Sequence, residues 1–310
     1  MAVVAVPAAA LVLLTVAAFF GRYFWVLDLV ANFRPQIFVG LVLCGLVLMM
    51  GKWRRVGAVT LAAAVLNLVI VLPLFVGSPG DPDSSAPLLR VLTYNLRGSA
   101  NQSYAEVVDF IRRNEPDLVL LHEAYRPWEL AMEPLSSDYR IIRGRSDDLI
   151  FGTLVLLRGQ LLDWESYGFA IDEPRALELE FIPRGWDRPV HVLSLHANSP
   201  TDSGRAALRD AQLEFAREWA ERQEGPFVVA GDLNSTPWSW AFRRLLGAGL
   251  RDSATGFGIQ ATYPADRNPL VRIPIDHILH SRDLGVRSRQ LGAALGSDHF
   301  PVLADLELRS

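Results

Sequence analysis

The chain of 310 residues has one cysteine, Cys44, so neither a disulfide framework nor a cysteine-ligated metal site can form within it. Lysine is as scarce: Lys52 stands alone and arginine supplies the rest of the positive charge. Arginine suits bidentate phosphate contacts, but a codon bias explains this usage more simply. No HExxH pair or histidine-rich cluster argues for zinc. Acid is nearly absent from residues 1–80, where Asp28 stands against Arg22, Arg34, Lys52, Arg54 and Arg55. Residues 81–310 therefore carry 25 basic and 33 acidic side chains, a formal net of −8. Such a domain is a poor general binder of duplex nucleic acid, whose affinity rests on neutralising phosphates. A nuclease with a local basic groove or bound cations stays compatible with it.

What fills the acid-poor region is apolar. Met1–Gly21, Pro35–Gly51 and Val56–Gly80 are uncharged runs, and a membrane-crossing helix needs about 20 apolar residues. The first and third meet this, and the second sits at the lower limit. A cleaved signal peptide would need a basic leading segment, which the first run lacks. The loop Gly51–Arg55 holds three basic residues in five. The positive-inside rule places it in the cytoplasm, which puts the N-terminus inside and the Gly21–Arg34 loop outside. After three spans the chain emerges on the outer face near Val76. Trp25, Phe33 and Trp53 fit interfacial anchors. The predicted organisation is a membrane domain of three transmembrane helices (1–76), a Gly/Pro/Ser/Asp-rich linker (77–87) and a catalytic domain (88–310).

The C-terminal region reads as α/β. Leu88–Asn95 alternates, with Leu89, Val91, Thr93 and Asn95 on one side. Ser103 and Glu106 form a capping-box pattern before a helix ending near Asn114. Leu118–Leu121 is a buried strand ending at His122-Glu123. The plan then recurs: strand Val190–Leu195 ends in His196-Ala197-Asn198. A helix capped by Asp202 or Ser203 turns Leu208, Ala211, Leu213, Phe215 and Trp219 inward. Strand Phe227–Ala230 runs into Asp232 and Asn234. Between the units, Tyr139–Glu180 reads as short strands, Leu149–Leu157 and Leu177–Phe181 among them. Further on come a helix, Ser239–Leu246, and strands Ile273–Leu279 and Val302–Leu308.

Glu123, Asp232, Asp276 and Asp298 all sit at or in apolar strands, where an isolated charge is very costly. With Asn95, Asn234, His196 and His299 beside them, they point to one shared, cation-containing site. Carboxylates and amides suit Mg²⁺, Mn²⁺ or Ca²⁺. His277 and His122 read as structural neighbours of Asp276 and Glu123, His191 and His280 as surface or strand-end residues, and Tyr94 as core.

The motifs TYN (93–95), HEA (122–124), SLHAN (194–198), GDLN (231–234), IDH (275–277) and SDH (297–299) resemble, in order, those of the endonuclease/exonuclease/phosphatase superfamily. That resemblance implies a DNase I-like four-layer α/β sandwich, two packed mixed sheets flanked by helices. It also implies metal-assisted phosphoester hydrolysis with Mg²⁺ or Mn²⁺. Glu123 would ligate the cation with Asn95 beside it, and Asp298 would complete its shell or hold its water. Asp232 would be the base, Asn234 would bind a non-bridging oxygen, and His299, oriented by Asp276, would contact the phosphate. His196 would be a second phosphate-binding group, followed by Asn198. The apolar spans, Phe33-Arg34-Pro35-Gln36 and GDLNSTPWS are similar to a bacterial membrane-anchored branch that includes teicoplanin-resistance proteins. This implies a lipid-linked phosphate substrate outside the membrane, with the bilayer as partner; it implies nothing about a protein partner. The alternatives are a membrane-tethered nuclease and a catalytically inactive binding scaffold. A reporter fused to the C-terminus should be active only if it works outside the cytoplasm; activity of a cytoplasm-only reporter there would overturn this topology.

Overall fold

The apolar runs fold as helices: α1 (Ala2–Ala17), α3 (Arg34–Met49) and α4 (Arg54–Val71), with a short α2 (Trp25–Ala31) between the first two. The computed structural model describes residues 2–77, 86–144, 152–170 and 173–309. Most of the predicted linker and residues 149–151 of one predicted strand lie outside them. Ala2–Phe20 and Arg54–Leu74 are each long and apolar enough to cross a membrane. The middle run is a broken pair, α2 and α3, bent by 65°. Pro35, in the first turn of α3, has no N–H to carry a continuous helix through the break. Three single spans therefore become two helices of spanning length and one bent pair. Small residues let α3 and α4 approach closely: a Cβ on Gly57 would lie 3.0 Å from the Gly45 carbonyl oxygen. Asn67 on α4 donates to Thr15 Oγ1 on α1 (2.9 Å) and accepts from Arg34 on α3 (3.1 Å), so buried polar groups fix the helix register.

The C-terminal region builds two six-stranded mixed sheets. The strands are β1 (Leu88–Asn95), β2 (Leu118–His122), β3 (Arg140–Arg143), β4 (Leu154–Leu157), β5 (Gly159–Ala170), β6 (Glu173–Pro183), β7 (Val190–Leu195), β8 (Phe227–Asp232), β9 (Arg251–Asp252), β10 (Asp276–His280), β11 (Leu284–Leu291) and β12 (Val302–Leu308). One sheet runs β11-β12-β1-β2-β4-β3 and the other β5-β6-β7-β8-β10-β9. The parallel pairs are β1–β2 and β7–β8. They are joined by α5 (Tyr104–Asn114) and α7 (Ser203–Arg222), the two repeated units legible in the sequence. Leu89, Val91, Leu118 and Leu120 face Val190, Val192, Val228 and Ala230 between the sheets. The alternate residues Leu92 and Tyr94 pack under α5 and α6 (Arg126–Met132). Leu193 and Val229 pack under α7 and α8 (Trp240–Leu246). Each fully buried Leu, Val or Phe contributes roughly 1.5–3 kcal/mol, so strict alternation fixes which residues reach the inter-sheet space.

Three sequence readings change. Ser103 occupies the N-cap of α5, but its hydroxyl makes no capping bond; the Asn101 side chain accepts the Ser103 N–H instead (2.9 Å). The inward face of α7 includes Arg209 and Gln212 and leaves Ala211 exposed, because both polar side chains have buried partners. The short strands expected before Glu180 include a long hairpin, β5–β6, whose register shifts at bulges interrupt the period of two. The helix α6 and the strand β11 gave no clear sequence signal.

The N-terminal helices are docked on the α/β domain. Asp28 of α2, 3% exposed, accepts from Arg209 Nη2 (3.0 Å) and from the Trp240 N–H (2.6 Å). Thr236 donates to the Asn32 side chain (2.9 Å), Gln36 donates to the Arg272 carbonyl (3.1 Å), and the Leu74 carbonyl accepts from Gly256 and Gly258. Removing one partner of a buried ion pair leaves an uncompensated charge, which costs about 3–5 kcal/mol. Asp28→Leu and Arg209→Met should each lower stability by that order in thermal unfolding of the full chain, and the double variant by clearly less than the sum. Additive losses would mean that the pair is not coupled.

Candidate active site

The row that faces the opposite sheet ends in a polar group on strand after strand. In β1 it runs Leu89, Val91, Thr93, Asn95; in β8, Val228, Ala230, Asp232. In β7 it runs Val190, Val192, Ser194 and on to His196, and in β10 Ile278 is followed inward by Asp276. The inter-sheet core thus opens at one end into a cleft of about 270 Å³. Asn95, Glu123, His196, Asn198, Asp232, Asn234, Asp298 and His299 line it, together with Arg97, Ser199, Arg205 and Tyr263. Asp276 lies just behind, fully buried and directly opposite Asp232 in the β8–β10 register.

The backbone is strained here. Among the described residues, the non-glycine positive-φ positions are Arg97 (63°), Glu115 (46°), Glu123 (55°) and Asn234 (46°). Three line the cleft, and Glu115 caps α5. Such conformations cost of order 1–3 kcal/mol each and persist where the surroundings over-determine them. Gly231, at φ 146°, admits no side chain: a Cβ would lie 2.0 Å from the Leu195 carbonyl oxygen. That close approach of β8 to β7 brings Asp232 beside His196.

The polar groups are cross-tied. Asn95 Nδ2 donates to Glu123 Oε1 (3.1 Å) and Asp232 Oδ2 (3.0 Å), while its oxygen accepts the Arg97 N–H (2.9 Å). Asn95 therefore turns its nitrogen to the two acids and positions them; its oxygen is taken up by the backbone. Asp232 Oδ1 accepts the Asn234 N–H (3.0 Å), and Asn234 Nδ2 donates to the Ala197 carbonyl (3.0 Å). Gln212 Oε1 holds the backbone N–H of Asn198 (2.7 Å). His299 Nδ1 is bonded to Asp276 Oδ2 (2.9 Å) and its Nε2 lies 3.8 Å from Asp232 Oδ2. His196 Nε2 lies 3.7 Å from Asp232 Oδ2 and 3.8 Å from Glu123 Oε1. Asp298 pairs with Arg97 Nε at 3.5 Å.

Charge follows from these contacts. Burial, with Asp276 facing it, raises the Asp232 carboxyl to about 7, against the pull of His299 and Asn95. Burial alone would lower the His299 imidazole; Asp276, Asp232 and Asp298 outweigh it and raise the group to about 10. His122, buried beneath the cleft, is lowered to about 4 by burial and is neutral. His277 turns to the other face of β10 and bonds the Ser235 carbonyl (2.9 Å), and Tyr94 is core. His280 ends β10 as read from the sequence but is buried, bonded to the Ser281 carbonyl (2.8 Å).

Two sets of groups here suit a cation. Ligand atoms of Asp232, Asp276 and His299 lie within 4.8 Å of one another, but the His299–Asp276 hydrogen bond and the charge of His299 already balance that trio. Glu123, beside Asp232 and within the same cleft as Asp298, offers carboxylate oxygen without a thiolate, the donor chemistry of Mg²⁺ or Mn²⁺. Sequence reading missed Arg97, Ser199, Arg205, Gln212 and Tyr263; Arg97 repeats after β1 the two-residue spacing of Asp232 and Asn234 and was legible by that pattern, whereas Arg205, Gln212 and Tyr263 follow no strand in a polar pair.

A model of the endonuclease/exonuclease/phosphatase family matches residues 92–299. Several solved structures are similar. The endonuclease/exonuclease/phosphatase from Bacteroides vulgatus is 21% identical with a TM-score of 0.59, over 72% of this chain and 100% of that one. D. rerio TDP2 complexed with single-strand DNA product is 18% identical with a TM-score of 0.62, over 71% and 99%. The human Nocturnin catalytic domain with bound sulfate is 17% identical with a TM-score of 0.57, over 72% and 94%. At these identities the likeness is one of fold. No curated protein matches the sequence.

Because the folded pKa of His299 is raised, its ion pairing stabilises the fold fully below about pH 6.5 and is lost as pH rises through about 10. Asp276→Asn should bring the imidazole titration, followed by NMR, from about 10 to the ordinary range of about 6.5 or below. A titration that stays near 10 would show that Asp276 does not hold the charge.

Proposed function

The chain belongs to the endonuclease/exonuclease/phosphatase family, and from that premise we propose that it is a membrane-anchored, divalent-metal-dependent phosphohydrolase that cleaves a lipid-linked phosphoester or pyrophosphate on the extracytoplasmic side. The hydrolase class is the family's own: its members are metal-dependent phosphoester hydrolases. The finer reading is carried by one observation: the bonds joining the N-terminal helices to the catalytic domain start from Asp28, Asn32, Gln36 and Leu74. In the topology set by the basic Lys52–Arg55 loop, all four lie at the outer membrane surface. The domain boundaries at about 76 and 88 follow from the same reading.

Glu123, with Asp298 in its shell, would hold the cation. Bound there, it would draw charge from the phosphoryl oxygens as a Lewis acid. Asp232, raised to about 7, is deprotonated at mildly alkaline pH and takes the proton of the attacking water. Asn95 and the Asn234 N–H keep both its oxygens oriented. His299, cationic and fixed by Asp276, presents Nε2 to the phosphate. An amide nitrogen carries two N–H groups, so Asn234 and Asn198 each keep one for a non-bridging oxygen while the other is bonded to protein. His196 stands opposite as a further phosphate contact.

The rival is a tethered nuclease. Similarity to a TDP2 structure complexed with single-strand DNA favours it, and Arg97 and Arg205 at the cleft rim would be its backbone contacts. The net charge of −8 over residues 81–310 weighs against it. An inactive scaffold is opposed by the complete acid, amide and histidine set.

The full chain in detergent, given Mg²⁺ or Mn²⁺, should hydrolyse a polyprenyl pyrophosphate or a phosphodiester dye and lose that turnover in EDTA. Asp232→Asn should cost about 10³-fold in kcat, and Glu123→Gln should raise the metal concentration needed by about tenfold or more. DNA cleavage without lipid hydrolysis would promote the nuclease. An Asp232→Asn variant as active as wild type would sink both enzymatic readings.

A further inference from the structure

Beside the catalytic cleft lies a second, larger and mostly apolar groove of about 680 Å³, formed jointly by α3 and the catalytic domain. This is within the size range of small-molecule sites, about 300–1,000 Å³. One wall is Gln36, Val39 and Leu43, and the other is Trp238, Ile259 and Ala261. Pro269, Leu270 and Arg272 close its rim. Below the groove the same side of α3 continues as exposed apolar surface through Leu43, Leu46 and Val47. At the rim Leu270 is 76% exposed and Val271 is exposed beside it, a costly placement in water and a favourable one in a lipid interface. The groove is therefore continuous with the surface that the membrane-anchored reading gives to lipid.

Its other end abuts the active site. Ala261 lines the groove, and Tyr263, two residues on, lines the catalytic cleft with its ring 4.9 Å from that of His299. Thr262 between them is pinned by the N–H groups of Ile275 and Asp276 (3.1 and 3.2 Å), so one rigid strap is the wall shared by both spaces. Arg272 at this end is held by the Ala265 and Arg267 carbonyls and lies 5.0 Å over the ring of Phe300, the neighbour of His299. A fixed cation thus lines the groove and packs on the residue that follows His299. Two polar atoms of residues that line it, Trp238 Nε1 and Gln36 Oε1, are buried with no hydrogen-bond partner within the protein.

We propose that this groove receives the hydrocarbon chain of the protein's own phosphate-bearing lipid substrate, running from the bilayer along α3 to a head group in the Asp232–His299 cleft. The assignment rests on the phosphohydrolase reading above and adds the chain-binding site and its residues. A chain in the groove is apolar surface removed from water or lipid disorder at a fixed angle to the cleft, so it orients the head group as well as retaining it.

The full chain in phosphatidylcholine nanodiscs is assayed with p-nitrophenyl phosphodiesters bearing a methyl or a hexadecyl chain. Val39→Trp and Leu43→Trp narrow the groove from the α3 side, away from the catalytic cleft. Each should raise KM for the hexadecyl ester about tenfold or more and leave kcat/KM for the methyl ester within about twofold. Equal use of the hexadecyl ester by wild type and both variants would overturn the groove while leaving the hydrolase reading intact. If wild type cleaves neither ester, the phosphodiester form of the substrate is excluded, and binding decides the groove on its own. Hexadecyl phosphate brominated along its chain should then quench wild-type fluorescence more than that of Trp238→Phe, and the difference should vanish when Ala261→Phe narrows the groove. No difference would overturn the groove independently of catalysis.

Discussion

Two carboxylates face each other inside the protein. Asp232 and Asp276 are directly opposed across β8 and β10, 1% and 0% exposed. Like charges directly opposite in a sheet are destabilising, and burial multiplies the cost. The pair is tolerable only with positive charge at hand, and His299 supplies it by bonding Asp276 while standing 3.8 Å from Asp232. Asn95 adds a donor from the other sheet. The Ser297 hydroxyl, which donates to the Asn95 carbonyl (2.7 Å) and accepts the His299 N–H (3.0 Å), couples the His299 loop to the end of β1. The two sheets are thus locked at the cleft by one charge balance. A carboxyl at Asp232 raised above the ordinary carboxylate range and a histidine at His299 raised well above its ordinary value are its consequences.

The segment carrying Asp232 is clamped from two directions. On the inner side, β8 is paired with β7 and β10. Past Asn234 the chain is gripped by the N-terminal helices: Thr236 bonds Asn32, and the Trp240 N–H bonds Asp28. Arg209 bridges the two regions, donating to Asp28 and, at 3.4 Å, to the Asn234 carbonyl. The left-handed Asn234 beside Asp232 stays in place because both flanks are fixed. The N-terminal helices are in this sense part of the frame of the cleft.

Alternation made most of the cleft legible in the sequence. Asn95, His196 and Asp232 extend rows of inter-sheet side chains, and period two is a local property of a strand. The motif order then supplied the family. What alternation cannot give is registry between distant strands. That Asp276 lies opposite Asp232 depends on a pairing between segments more than forty residues apart. The face of α7 was misread for the same reason. Arg209 and Gln212 look like solvent-facing polar residues until Asp28 and Asn198 are placed against them, and those contacts are set by tertiary packing. Which way the Asn95 amide turns is equally hidden from the sequence: its nitrogen faces the acids, a detail fixed by the Arg97 N–H in a left-handed turn. The β5–β6 hairpin stayed hidden because its bulges break the very period by which a strand is recognised.

Attachment by docking differs physically from attachment by a tether. A flexible linker fixes only a mean distance, and the catalytic domain would sample all orientations at the cost of a low effective concentration at any one of them. Here Asp28, Asn32, Gln36 and the Leu74 carbonyl fix orientation as well, through bonds from three helical segments to α7, the β8–α8 segment and the β9–β10 connection. The broken α2–α3 pair makes this feasible: the 65° bend lays α2 against α7 and α8 while α3 continues along the helix bundle. A continuous helix through Pro35 could not present Asp28 to Arg209 and keep Arg34 within reach of Asn67. The bend, the buried ion pair and the left-handed turn at Asn234 are therefore one construction, in which the helix bundle fixes the direction the cleft faces.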